Sequence, residues 1–86
     1  MLVTGDLADP MPDGPIAVAE QAIQLNPGID TLVCNAGTFI DAPFLEMPFE
    51  IFDRTMKLNV YSQYVLIQHF AKRWVSKGIA GRILLT

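Results

Sequence analysis

Three short stretches of the 86-residue sequence carry side chains that could do chemistry. The first is Gly5-Asp6-Leu7, which puts a carboxylate just past an apolar opening. Such a carboxylate can accept hydrogen bonds from a ligand's exocyclic amine, or it can close an Asx turn on its own loop. The second is Asn35-Ala36-Gly37, which ends the apolar run Ile29-Asp30-Thr31-Leu32-Val33-Cys34. Small residues there let a ligand approach the backbone, and glycine permits positive φ. An ordinary strand-to-loop turn uses the same residues. The third is Asn59, in the middle of a helical pattern. Asparagine is a mediocre helix former whose side chain competes for backbone bonds. A buried amide left unpaired costs about 1–3 kcal/mol, so Asn59 is either satisfied by neighbouring backbone or marks a helix irregularity. In the second case a freed carbonyl would hold a water, and such irregularities cluster at functional sites.

Other chemical signals fail on spacing. Asp9-x-x-x-Asp13-Gly14-x5-Glu20 echoes a calcium loop, but Met11 replaces a ligand and Pro10 and Pro12 stiffen the segment. His69 has no second histidine or carboxylate at metal-ligand spacing and reads as a solvated helix residue. Cys34 ends a buried strand with no CxxC partner and no local basic cluster, which suits a packed hydrophobe better than a nucleophile. Walker, GxSxG and zinc spacings are not found, and neither Tyr61 nor Tyr64 is followed four residues later by lysine.

The elements that must position these residues alternate. Leu2-Val3-Thr4 reads as the tail of a buried strand entering a loop. Asp9 to Pro15 is a loop rich in proline. Pro15 suits the first turn of a helix in which Ile16, Ala19 and Ala22 or Ile23 recur, and Asn26-Pro27-Gly28 stops it. The run from Ile29 to Cys34 reads as a buried parallel strand. Thr38 to Met47 is a loop. From Pro48 to Lys77 a long helix carries Phe52, Met56, Val60, Tyr64, Ile67, Ala71 and Trp74 at steps of three or four. Ser62, His69, Arg73 and Ser76 mark an opposite polar strip, and Gly78 ends the helix. Arg82-Ile83-Leu84-Leu85-Thr86 opens another strand. The fold class is therefore α/β: three parallel strands and two helices, part of a doubly wound sheet and a single domain segment over 1–86.

Composition limits the partners. Apolar residues make up 51% and charged residues 17%, which excludes a disordered chain. The formal charge is −3 with no basic run, so no nucleic-acid footprint is expected. The longest uncharged stretch, Leu58 to Ala71, is too short and too polar to span a bilayer, and no signal peptide is visible. A single cysteine points to a reducing, cytoplasmic setting.

Taken together, Gly5-Asp6-Leu7-Ala8-Asp9, Ile29 through Gly37, Phe52-Asp53-Arg54 through Lys57-Leu58-Asn59-Val60, and Gly81-Arg82-Ile83-Leu84 resemble the central part of a short-chain dehydrogenase/reductase. The likeness runs along essentially the whole chain, and the Asn-Ala-Gly and Leu-Asn-Val blocks are together quite specific. It implies a Rossmann-type fold and hydride transfer between an alcohol and a ketone with NAD or NADP. By that resemblance Asp6 would meet the adenine amine and Leu7 the adenine ring. Asn35, Ala36 and Gly37 would line the cofactor near its riboses, and Val60 would pack by the adenosine half. Asn59 would be the catalytic asparagine, whose main-chain carbonyl holds a relay water. Cys34 stands where the family usually has a first asparagine. The family's glycine-rich phosphate loop, its ribose-reading residue, and its serine, tyrosine and lysine have no counterpart in the 86 residues.

The resemblance makes the three strands the third, fourth and fifth of the order 3-2-1-4-5-6. The third would then stand roughly 14 Å from the fourth, at about 4.8 Å per strand. The polypeptide by itself is expected to be inactive and not to form a stable native-like monomer. The broad apolar sector of the 48–77 helix is expected to face the sheet on one side and a second subunit of a homo-oligomer on the other. Competing readings are a short non-catalytic module that dimerises or binds a full-length relative, and a nucleotide-binding α/β domain of unrelated chemistry. A small-molecule alcohol or carbonyl substrate is expected only under the first reading.

Overall fold

Apolar residues four apart build the core. In a computed structural model that describes residues 2–38 and 42–86, helix α1 spans Asp13–Leu25 and buries Pro15, Ala19 and Ile23 along one stripe. Helix α3, Ser62–Lys77, buries Leu66, Phe70 and Trp74 along another. The two stripes meet, and Ala19, Ile23, Leu66, Phe70 and Trp74 form a single cluster, with Leu7, Ile29, Leu32 and Ile79 packed around it. Burying large apolar side chains of this kind stabilises a fold by about 1.5–3 kcal/mol each. The indole of Trp74 is not left unpaired: Nε1 donates to the Ile29 carbonyl at 2.9 Å, tying α3 to the entry of the first strand.

Strand β1, Thr31–Cys34, pairs in parallel with β2, Arg82–Leu85. The register sets Thr31 against Arg82 and Cys34 against Leu85, so the carboxyl ends of both strands finish side by side. Parallel neighbours need a long crossover. Here it contains a short 3₁₀ turn, Phe44–Glu46, helix α2, Phe49–Met56, a π-helical segment, Lys57–Tyr61, and then α3. Right-handed helical dihedrals at Lys57, Tyr61 and Ser62 make the last three one continuous helix.

The helix ends obey the sequence signals. Beyond α1 the Asn26 amide donates to the Ala22 carbonyl, and the Asn26 side chain accepts from the Gly28 amide at 3.2 Å. Gly78 stops α3 at φ 68°, a left-handed conformation in which a Cβ is strained.

Two expectations need correcting. Three strands were expected, and among the described residues two are present. Leu2 to Asp6 carries no ladder because a strand exists only through its hydrogen-bonding neighbour, and in a doubly wound sheet the third strand does not border the fourth. Met1, the first residue of that expected strand, and 39–41 of the expected loop lie outside the described residues. The second correction concerns the long helix. Ser62 was placed on a polar strip and Val60 and Tyr64 on the apolar one, but Ser62 is 1% exposed while Val60 and Tyr64 are exposed. Within α3 the buried face is the four-residue line Ser62, Leu66, Phe70 and Trp74, which shares only Trp74 with the expected stripe, and Phe52, ahead of the π segment, is exposed as well. The inserted residue of the π segment also turns the later half of the helix by about 100° relative to the earlier half.

One glycine fixes the approach of β2 to α3. A Cβ built on Gly81 would fall well inside contact distance of Trp74 ring carbons Cδ2, Cε3 and Cζ3. The ring is held by its bond to Ile29 and cannot swing aside freely. Gly81→Ala is therefore expected to destabilise the folded full gene product by about 1–3 kcal/mol, the usual range for overpacking. Thermal denaturation checks this, and an unchanged midpoint would show that Trp74 yields.

Candidate functional site

The site lies where β1 and β2 end. In open parallel sheets the space beyond the carboxyl ends of the strands is where ligands bind. Past β1, the Asn35 side-chain oxygen accepts from the Thr86 hydroxyl at 2.7 Å, and the Thr86 amide donates to the Cys34 carbonyl at 3.2 Å. The two strand ends are thus cross-linked by one side-chain pair. Ala36 and Gly37 come next, both exposed, with little side chain to obstruct approach to their backbone.

Asn59 reaches this loop from the helix. Its Oδ1 accepts from the Thr38 amide at 2.8 Å, and its Nδ2 donates to the Thr38 carbonyl at 2.8 Å. The side-chain amide therefore pairs with one backbone residue as a neighbouring strand would, using a donor and an acceptor at once. A Cβ on Gly37 would come 3.3 Å from Asn59 Oδ1, tighter than ordinary contact. Glycine at that position lets the loop lie against the amide.

Asn59 sits in the π segment. There the Ser62 amide donates to the Lys57 carbonyl, five residues back rather than four. The Ser62 hydroxyl donates to the Leu58 carbonyl at 2.5 Å. A π turn inside an α ladder displaces the backbone bonds by one residue, which strands a carbonyl unless something else pairs with it.

The remaining expected site residues fall at the edge of this arrangement. Asp6 Oδ1 accepts from the Ala8 amide at 2.8 Å, so the carboxylate does close its own turn. Its other oxygen stands 3.9 Å from Arg54 Nη2, an exposed ion pair that links the loop to α2. Leu7 packs against the core cluster. Val60 is 47% exposed and free to meet another surface. The structure thus joins Asn35, Ala36 and Gly37 to Asn59 through Thr38, and joins Asp6 to the same helix through Arg54. On that helix Asp53 and Lys57 pair at 2.9 Å, and the Asp53 carboxylate holds the Lys57 ammonium above its usual pKa.

Cys34, buried at the end of β1, has its thiol pKa raised by desolvation. For an acid the sign is direct: the fold favours the neutral thiol. That contribution to stability is complete below the ordinary thiol pKa and is lost as pH rises through the raised one. Iodoacetamide at pH 8 is expected to label Cys34 more slowly in the folded protein than in urea, since the thiolate is the nucleophile and burial disfavours it. Equal rates would contradict the buried thiol.

Five participants were not singled out as site residues by the sequence. Thr38 and Leu58 act through backbone atoms, which no residue type announces. Arg54 and Thr86 work across long sequence separations. Ser62 had a signal: a small hydroxyl residue three after a mid-helix asparagine, in a stretch with few other polar residues. Likewise His69, read as solvated, is half-buried with Nε2 2.6 Å from Glu20 Oε1, a pair bridging α3 and α1.

Known proteins share this layout. The model of a family described as short chain dehydrogenase matches residues 1–86. The L-rhamnose 1-dehydrogenase (NAD(P)(+)) of Sphingomonas sp. (strain SKA58) is 33% identical over 82 residues, covering 95% of this chain and 32% of that protein. The crystal structure of acetoin dehydrogenase from Enterobacter cloacae superposes with a TM-score of 0.85 at 34% identity, over 96% of this chain and 32% of that one. A blue fluorescent protein from a metagenomic library, crystallised in complex with NADPH, superposes with a TM-score of 0.76 at 34% identity, over 94% of this chain and 31% of that one. The chain spans about a third of the length of the curated relatives it matches. With the family model matched from end to end and the parallel strand ends, the Asn-Ala-Gly loop and the mid-helix asparagine all in place, the chain belongs to the short chain dehydrogenase family.

Proposed function

We propose that this chain forms part of the dinucleotide-binding domain of an NAD(P)-dependent oxidoreductase that interconverts a small-molecule alcohol and its carbonyl compound. The observation that carries the reading is the paired hydrogen bond between Asn59 and Thr38, which holds the loop after β1 against the π segment.

The residues present suit a dinucleotide. Gly37 keeps the loop backbone where a Cβ would crowd Asn59, and Ala36 and Gly37 leave that backbone open. Asn35, Ala36 and Gly37 would line the cofactor near its riboses, with Asp6, Leu7 and Val60 at the adenosine end. Bound there, the nicotinamide supplies the hydride acceptor or donor. Both polar atoms of the Asn59 side chain are committed to Thr38, so its side chain positions the loop. By the family resemblance, its main-chain carbonyl would hold a relay water. The 86 residues contain neither Tyr-x-x-x-Lys nor a glycine-rich phosphate loop, and the polypeptide by itself is expected to show no turnover.

Names of relatives support the substrate class: rhamnose and acetoin both present a hydroxyl or carbonyl to be oxidised or reduced. Exposed Val60, Tyr64 and Val75 support association of the 48–77 helix with a second subunit. Among the described residues no helix is long and apolar enough to cross a membrane. The unpaired thiol of Cys34 favours the cytoplasm.

A segment exchange tests the reading. Residues 2–86 replace the matching third of the Enterobacter cloacae acetoin dehydrogenase, and the product is assayed with NAD⁺ and NADP⁺. Retained nicotinamide binding and measurable turnover are expected. A folded exchange protein that binds neither nucleotide would overturn the proposal.

A further inference from the structure

We propose that Ser62 is a positioning residue that locks the helix in the π register, and so aims Asn59 at the loop after β1; the catalytic consequence rests on the function proposed above.

Ser62 contributes two donors, and the fold separates them. In an α-helix its amide would bond Leu58, four residues back. Here the amide goes to Lys57 and the hydroxyl takes Leu58 instead. One side chain thus replaces the bond that its own backbone has given up. Without the hydroxyl, the Leu58 carbonyl would lose this partner in the interior, which is costly. The cheapest repair would be for the Ser62 amide to return to Leu58, converting the segment to α-helix.

That repair would move Asn59. Removing a one-residue offset turns one half of the helix by about 100° against the other and shifts it by about 1.5 Å. The halves are not free to absorb this. Ser62, Leu66, Phe70 and Trp74 are buried on one face of α3, and Leu66, Phe70 and Trp74 are fixed against α1. The change therefore falls on the half that carries Asn59 and breaks its pair with Thr38.

Burial supports a specific role. Ser62 is 1% exposed and is the one buried polar side chain among the described residues, on a stripe otherwise made of Leu66, Phe70 and Trp74. A hydroxyl there brings no apolar packing that alanine would not. Serine bonding four residues back is common on helices. What sets Ser62 apart is that its amide bonds a different carbonyl from its hydroxyl.

The test compares Ser62→Ala and Ser62→Thr in the full gene product by hydrogen exchange. Ser62→Ala keeps the size and removes the hydroxyl. Ser62→Thr restores the hydroxyl and adds a methyl. The Thr38 amide is expected to exchange roughly tenfold faster in Ser62→Ala, the change that one ordinary hydrogen bond gives, while amides near Phe70 and Trp74 keep their protection. Ser62→Thr is expected to return the Thr38 amide toward the wild-type rate. In the segment-exchange enzyme, Ser62→Ala should lower kcat with little change in the nicotinamide KM. Unchanged Thr38 exchange in Ser62→Ala would overturn the proposal, as would equal loosening of Thr38 and the α3 core, which marks a packing defect. If the wild-type protein binds no nicotinamide, the function proposed above fails, while the Thr38 exchange rates still decide the role of Ser62.

Discussion

Asn59→Leu is expected to lower kcat/KM of the segment-exchange enzyme on the order of 10²-fold, the loss caused by misplacing a catalytic group by about 1 Å. Leucine matches asparagine roughly in size and removes both bonds to Thr38. The Thr38 amide and carbonyl lose their partners, and the loop that begins at Asn35 is no longer held to the helix. Asn59→Asp is expected to fall between: a carboxylate can still accept from the Thr38 amide but cannot donate to its carbonyl, and it sets negative charge against that oxygen. Steady-state kinetics of the two variants beside wild type check the order. Full activity in Asn59→Leu would mean that the link to Thr38 does not position the reacting groups.

The second large effect concerns the 86-residue polypeptide by itself. Its amides are expected to exchange within seconds to minutes, outside transient helix, and the sample is expected to associate at micromolar concentration. The shape explains why. Principal extents of 49 × 21 × 20 Å leave little interior. Every residue of β2 is exposed, including Ile83, Leu84 and Leu85, and so are Phe44, Leu45, Phe49 and Phe52. A two-stranded sheet is marginal in water without further strands, and open apolar edges recruit other chains. Exchange with mass-spectrometric readout and light scattering on one sample check both halves. Slow, cooperative protection in a monodisperse monomer would contradict this and show that α1 and α3 suffice.

Periodicity made the helices legible. The four-residue spacing of Ala19 and Ile23, the breaker Asn26-Pro27-Gly28 and the stop at Gly78 each correspond to an observed feature. The apolar run before Asn35 corresponds to β1 because its neighbour β2 lies within the described residues, although only Cys34 of the strand is buried and Thr31 and Val33 are exposed, not the fully buried strand expected. Leu2 to Thr4 has the same composition, but a ladder depends on a partner, and partners are a tertiary property. The exposure of Phe52, Val60 and Tyr64 on the long helix has a related reason, since whether an apolar face is covered depends on a tertiary neighbour. The π segment also interrupts the single register that the sequence suggests for the 48–77 helix. Asn59 was the visible sign of that break, since a residue that competes for backbone bonds sits there. What it bonds to was not visible, because Thr38 contributes only backbone atoms. The double pairing resolves the alternatives left open for the Asn59 side chain: its amide is satisfied by neighbouring backbone, within a helix that is also irregular.

Convergence of the β1 loop and the π segment on one dinucleotide is tested most directly by titrating NAD⁺ and NADP⁺ into the segment-exchange protein while monitoring its amides by hydrogen exchange. Protection is expected to rise together at Ala36, Gly37 and Val60 with a single saturation curve, and to leave α1 unchanged. Saturable binding with no change at those three amides, or with changes confined to surfaces away from the ends of β1 and β2, would contradict it.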